Sequence, residues 1–152
     1  MASTSVPAEA LDREIVSSRV FDAPLERVFE AWTDPALLAQ WWGPKDFTNT
    51  FQEFDPRPGG TWRFVMRAPD GKEFPQESVF VEVAKPERIV FDHLGEHEYR
   101  AVITFTEEGG ETKVIFRMIH ATAEECERVR PYVVEGNEQN FDRLESELGL
   151  RN

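Results

Sequence analysis

The sequence predicts an α+β protein in which a curved antiparallel sheet of about seven strands packs on one long C-terminal helix. Three observations predict it. Between residues 47 and 120 the apolar residues alternate with a period of two, interrupted by Gly- and Pro-containing turns. On either side of that stretch the period is helical. A strand meander with one apolar face cannot bury that face alone, so the closing helix should lie across it.

The first strand covers residues 15–21, where Ile15, Ser17, Arg19 and Phe21 alternate with Val16, Ser18 and Val20. Asp22-Ala23-Pro24 opens a helix with Pro24 at its first position, where a missing N–H costs nothing. Leu25, Val28, Phe29 and Trp32 are its apolar stripe. Asp34 caps a second short helix that runs to Trp41 and ends at Gly43-Pro44. Strands follow at 47–55, 61–67, 76–83, 88–93, 99–107 and 111–120, joined by turns such as Pro69-Asp70-Gly71 and Glu108-Gly109-Gly110. Val114, Phe116, Met118 and His120 share one face with Ile103 and Phe105, while Lys113 and Arg117 point the other way. Thr122 and Glu125 form a capping box, and Pro131 divides the C-terminal segment into a short helix and a longer one. Val133, Gly136, Asn137, Phe141, Leu144 and Leu148 line the inner side of the longer one.

Composition narrows the function. The chain has 152 residues, 17 Lys plus Arg against 29 Asp plus Glu, and a net charge of −12. That acidity disfavours nucleic acid and anionic membranes as partners. A single cysteine, Cys126, forms no internal disulfide. No apolar run approaches the ~20 residues of a membrane span, and Met1–Ala10 lacks the apolar stretch of a secretory signal, so a cytoplasmic location is expected. Residues 1–12 read as a flexible tail and 13–150 as one domain.

Several segments carry a resemblance. Phe21-Asp22-Ala23-Pro24, Trp32-Thr33-Asp34-Pro35, Gln40-Trp41-Trp42-Gly43-Pro44, Asp55-Pro56-Arg57-Pro58-Gly59-Gly60, Ala68-Pro69-Asp70-Gly71-Lys72 and Pro86-Glu87-Arg88-Ile89-Val90-Phe91 occur in this order, and Phe141-Asp142-Arg143-Leu144 closes them. Together they resemble the SRPBCC or START-like superfamily, whose fold is the helix-grip, and within it the homologues of the heat-shock-protein-90 ATPase activator. The chain departs from the pattern twice. Asn137 stands where the family commonly has Trp, and Ser78 where it often has Gly. Both changes should alter a pocket more than the fold.

The resemblance implies an apolar cavity between sheet and helix. Trp42, Phe64, Met66, Phe80, Phe91, Phe116, Met118 and Phe141 are its expected walls, with Asn49, His120 and Asn137 as polar ligand-binding groups. The alternative is that the aromatics simply fill the core. Trp41 and Trp42 cannot face the same way, so one packs beneath its helix and the other serves as a latch or as part of a cavity mouth.

Three functions fit: binding of a small hydrophobic or aromatic molecule, a cavity enzyme of cyclase, dehydratase or hydrolase type, and a co-chaperone-like interaction module. Binding is favoured over catalysis. The catalytic reading needs an ionisable group directed into the cavity, with Glu53, His93 and His120 as candidates. Glu82 is the other strand carboxylate to watch. His93 and His97 are four apart, but in a strand–turn region where that spacing does not converge on a metal, so no metal and no cofactor are expected. Cys126, among glutamates, is a poor nucleophile. A homodimer and a chaperone partner are both compatible with the resemblance.

Overall fold

The computed structural model describes residues 12–95 and 97–150. Its elements are β1 (Glu14–Phe21), α1 (Leu25–Thr33), α2 (Pro35–Trp41), β2 (Thr48–Phe54), β3 (Thr61–Arg67), β4 (Glu73–Ala84), β5 (Arg88–Leu94), β6 (Tyr99–Glu108), β7 (Glu111–His120) and α3 (Ala123–Glu147). The seven strands form one antiparallel sheet in the order β1-β7-β6-β5-β4-β3-β2. Strands β2 to β7 are a plain meander, and β1 closes on the free edge of β7. Register shifts between Phe51 and Glu53 and between Phe80 and Glu82 bend the strands. The curved sheet wraps α3, which packs on β1, β7 and α2. This is the helix-grip fold. The expected flexible tail falls, up to residue 11, outside the described residues, while residues 12–13 make a short 3-10 turn into β1.

The helix boundaries follow local chemistry. Pro24 is the residue before α1 rather than its first residue, and its carbonyl accepts from the N–H groups of Arg27 and Val28. Asp34 caps α2 by accepting from Ala36 N at 3.0 Å. The Thr122 hydroxyl accepts from Glu125 N at 3.0 Å, while the Glu125 carboxylate turns to Arg128 instead of completing the box.

Two prolines shift the expected boundaries. Pro131 does not divide α3, which runs unbroken through it. Its ring faces solvent, so the Glu127 carbonyl it leaves unbonded can be hydrated. An interior proline costs ~3 kcal/mol or more. Burial of Cys126 and Val129 before it and Phe141 and Leu144 after it offsets that cost. Strand β4 starts at Glu73, earlier than expected, with Pro75 inside it. Pro75 pairs with Val65 of β3, but pairing with β5 begins only at Glu77, so the proline lies where β4 has a single neighbour.

Alternation sorts the sheet into two faces. Phe64, Phe80, Phe91, Ile103, Phe105, Val114 and Phe116 join the main core beneath α1, α2 and α3. On the outer face Val90, Val102 and Ile119 form a separate buried patch. The ion pairs Arg88–Glu82, Arg100–Asp92 and Arg117–Glu14 sit beside it in register, and the arginine stems keep water off the valines.

Candidate functional site

The strands contribute alternate residues to a cavity under the closing helix. Trp62, Phe64 and Met66 come from β3, Gln76 and Ser78 from β4, Phe91 and His93 from β5, Tyr99 from β6, and Phe116 and Met118 from β7. Helix α3 adds Asn137 and Asn140, and the α2–β2 loop adds Trp42, Gly43 and Pro44. The cavity measures about 130 Å³. That is close to the ~150 Å³ of an engineered apolar cavity that holds benzene.

Its apolar side is a continuous aromatic wall. Trp62 stacks on Phe64 (4.8 Å, 22°), meets Phe91 edge-on (5.4 Å) and meets Trp42 edge-on (5.3 Å). Trp42 also lies 6.1 Å from Phe116. The two adjacent tryptophans divide their work. Trp41 is wholly buried, donates through Nε1 to Ala31 O at 2.9 Å and packs on Trp32, so it latches α2 to α1. Trp42 faces the cavity.

The loop at the cavity rim is held by α3. Gly43 has φ +104°, a conformation L side chains rarely adopt, and its N–H donates to Asn140 Oδ1 at 2.8 Å. Arg143 donates through Nη1 to the carbonyls of Trp42, Gly43 and Pro44 and through Nη2 to those of Gln40 and Phe47, all at 2.8–3.2 Å. Burial lowers the pKa of its guanidinium from the usual value.

The polar side has two parts. In the first, His93 Nδ1 lies 2.8 Å from His97 O and Nε2 lies 2.7 Å from Gln76 Oε1. Its ring stacks on Tyr99 at 4.8 Å. Burial pushes the His93 pKa down and that of the Tyr99 hydroxyl up, so both are neutral at pH 7. Nε2 donates to Gln76 Oε1, while the Gln76 amide nitrogen donates to Phe74 O at 3.4 Å. In the second part, Asn137 Nδ2 reaches Ser17 Oγ at 3.4 Å, and Asn140 donates to Asn137 Oδ1 at 3.3 Å. Two buried polar atoms of the wall, Trp62 Nε1 and Ser78 Oγ, have no hydrogen-bond partner among the described residues.

Of the expected lining, Trp42, Phe64, Met66, Phe91, Phe116, Met118 and Asn137 border this cavity, and Phe80, Phe141, Asn49 and His120 lie outside its wall. Phe80 packs behind Trp62 and against Phe54. Phe141 is buried against Phe21. Asn49 donates to the carbonyls of Ala39 and Trp42, which fastens β2 to α2. His120 stacks on His97 at 5.2 Å at the far end of β7.

Among the catalytic candidates, only His93 borders the cavity. Glu53 is exposed and paired with Arg63 at 3.0 Å, and Glu82 is paired with Arg88 at 3.1 Å on the outer face. The His93 and His97 rings stand 6.5 Å apart, and no group of three metal-ligating side chains occurs among the described residues. Burial raises the Cys126 thiol. Trp62, Gln76, Tyr99 and Asn140 were not foreseen as wall residues, although Trp62 shares its strand face with Phe64 and Met66. Tyr99 is the register partner of His93, and Gln76 precedes Ser78 by one alternation, so a known register would have found both.

A family model described as "Activator of Hsp90 ATPase homolog 1-like protein" matches residues 22–149. No curated protein matches the chain. Among solved structures, protein Ms6760 from Mycobacterium smegmatis is 27% identical with a TM-score of 0.82, covering 96% of this chain and 97% of that one. Protein NE0264 from Nitrosomonas europaea is 24% identical with a TM-score of 0.85, covering 91% and 96%. The AHSA1 protein SPO3351 from Silicibacter pomeroyi is 22% identical with a TM-score of 0.74, covering 91% and 99%. At 24% and 22% identity the last two speak to the fold alone. Among the described residues no helix is long and apolar enough to cross a membrane.

Proposed function

The chain belongs to the family of activator of Hsp90 ATPase homolog 1-like proteins, and from that premise we propose that it binds one small, mostly apolar molecule, about the size of a single ring, between the sheet and α3. The observation that carries this reading is the cavity of about 130 Å³, with aromatic residues and methionine on one side and a few polar groups on the other. Apolar walls supply affinity and a few fixed polar atoms supply orientation. The small volume speaks for a ligand smaller than the drug-sized molecules that fill pockets of ~300–1,000 Å³.

A cavity enzyme is the second reading, and His93 in the wall favours it. Against it, both nitrogens of that ring already have partners. A general base needs a nitrogen free to reach the substrate proton. We therefore read His93 as an orienting element of a binding site. The net charge of −12 supports a partner other than nucleic acid.

Titration of the labelled protein with benzene, followed by two-dimensional NMR, tests the binding reading. The Trp42 and Trp62 indole signals and the Met66 and Met118 methyl signals should shift together and saturate. An absence of shifts at these four residues up to millimolar benzene would overturn it.

A further inference from the structure

We propose that the ligand of this cavity is a neutral cyclic molecule carrying a hydrogen-bond-accepting oxygen, a ketone in the simplest case, received by the indole N–H of Trp62 and the hydroxyl of Ser78. The inference rests on the binding reading above and adds the chemical class.

Trp62 and Ser78 face each other directly in the register of β3 and β4. Cross-strand partners have Cβ atoms ~4.5–5.5 Å apart, so their side chains meet on the same face. Both residues border the cavity, both are almost wholly buried at 2% and 1% exposure, and neither polar atom has a hydrogen-bond partner among the described residues. Buried polar groups are almost always bonded, and one left alone forfeits its hydration without return. Trp32 Nε1, Asn49 Oδ1, His97 Nε2 and His120 Nε2 also lack a hydrogen-bond partner among the described residues, but none of those residues borders the cavity. Two register partners in one wall, each with an open valence, therefore mark where we place a ligand's polar atom.

The donor inventory sets its identity. An indole N–H only donates, and a serine hydroxyl donates as readily as it accepts. One oxygen with two lone pairs satisfies both, as a carbonyl does. Its charge follows from what surrounds it. Lys and Arg are absent from the cavity wall. Arg143 at the rim spends its donors on five backbone carbonyls. Both nitrogens of His93 are taken up by protein oxygens, and burial lowers its pKa. A carboxylate ligand would be desolvated with no cation to meet it. A neutral acceptor is the group that fits.

Cyclohexanone and methylenecyclohexane provide the test, since they have the same shape and differ in C=O against C=CH2. Both are titrated into the wild-type protein, Ser78→Ala, and the Trp62→Phe/Ser78→Ala double variant, with NMR spectra confirming the fold of each. The expected result is that the affinity ratio of ketone to olefin falls by about tenfold in the double variant, with a smaller fall in Ser78→Ala. If both probes bind and the ratio is the same in all three proteins, the oxygen-reading pair is refuted while the binding site stands. If neither probe nor benzene binds the wild type, the site itself fails and the inference falls with it. Should the double variant not fold, Ser78→Ala alone decides, because a hydroxyl-to-hydrogen change preserves the wall.

Discussion

Arg143, on the closing helix, donates to the Pro44 carbonyl at 2.8 Å, and through the same guanidinium it gathers the carbonyls of Gln40, Trp42, Gly43 and Phe47. One side chain thus fixes the segment between α2 and β2, including Trp42 and the left-handed Gly43. Backbone carbonyls turned away from any strand or helix need a partner, and a forked cation with five N–H groups supplies several at once.

Replacing Arg143 should therefore cost stability and ligand affinity together. Arg143→Met removes every one of these donors and is expected to destabilise the protein by about 2–3 kcal/mol, read from urea unfolding. Arg143→Lys should recover only part of the loss, because an ammonium has three donors and no fork. Equal stability of the methionine variant and the wild type would show that the loop is held by its own packing.

Gly43 is tied to the same rim. A Cβ there would stand 3.3 Å from Met66 Sδ, and the residue would be held at φ +104°. Gly43→Ala is expected to cost about 1–3 kcal/mol through backbone strain, read from the shift in thermal midpoint. Gly71→Ala is a useful control, since its φ is +91° and its Cβ would meet nothing within 4 Å. The difference between the two isolates the crowding at the rim.

Much of this architecture was legible in the residues. Period-two runs and the turn residues between them located the strands, and Trp32, Trp41 and Asp34-Pro35 located the short helices. The reading of Pro131 as a division misled, and β4 likewise runs through Pro75, for one reason. A proline's cost depends on whether its missing hydrogen bond would have been buried, and that is a property of its neighbours, not of the residue. The cavity was legible in part. Phe64, Met66, Phe116 and Met118 follow from alternation within single strands. Gln76 and Tyr99 required knowing which residues of neighbouring strands face each other, and the bulges at Phe51 and Phe80 shift that count. Phe141 and Phe80 share the inner face yet fill the core, because a face does not say which of its side chains border a void.

Asn137 and Ser78, the two departures from the family pattern, both border the cavity. Asn137→Trp restores the ring the family commonly carries and should occupy much of the space. We expect a folded protein whose affinity for benzene falls at least about tenfold, since an overfilled cavity has no room for the probe. Unchanged benzene titration in this variant would place the binding elsewhere.

The three histidines give the fold a pH dependence of definite sign. His97 and His120 stack at 5.2 Å, and His93 packs on Tyr99 beside them. Burial lowers the pKa of all three, against the opposing pull of Glu125 on His97 and His120. The unfolded chain, with histidines near ~6.5, then binds more protons than the folded one as the pH drops below that value. Stability is complete above about pH 6.5 and declines below it. Urea midpoints measured from pH 8 to pH 5 should show this fall, and it should shrink in a His97→Gln/His120→Gln variant. A flat profile in the wild type would mean that the imidazoles titrate alike in both states.

The state of the His93 ring bears on the choice between binding and catalysis. With Nδ1 2.8 Å from the His97 carbonyl and Nε2 2.7 Å from Gln76 Oε1, both ring nitrogens face acceptors, and a neutral ring keeps its proton on Nε2, at the shorter contact. Nitrogen-15 spectra at pH 7 should show a protonated, hydrogen-bonded Nε2 and an unprotonated Nδ1. Gln76→Ala would then free the Nε2–H inside the cavity without removing the ring. If that variant alone gained a titrating group near neutrality, Gln76 would be the element that withholds His93 from proton transfer. An imidazolium in the wild type at pH 7 would instead mean that both nitrogens donate, to Gln76 Oε1 and to the His97 carbonyl, and the cavity would then hold a charge that favours an anionic ligand.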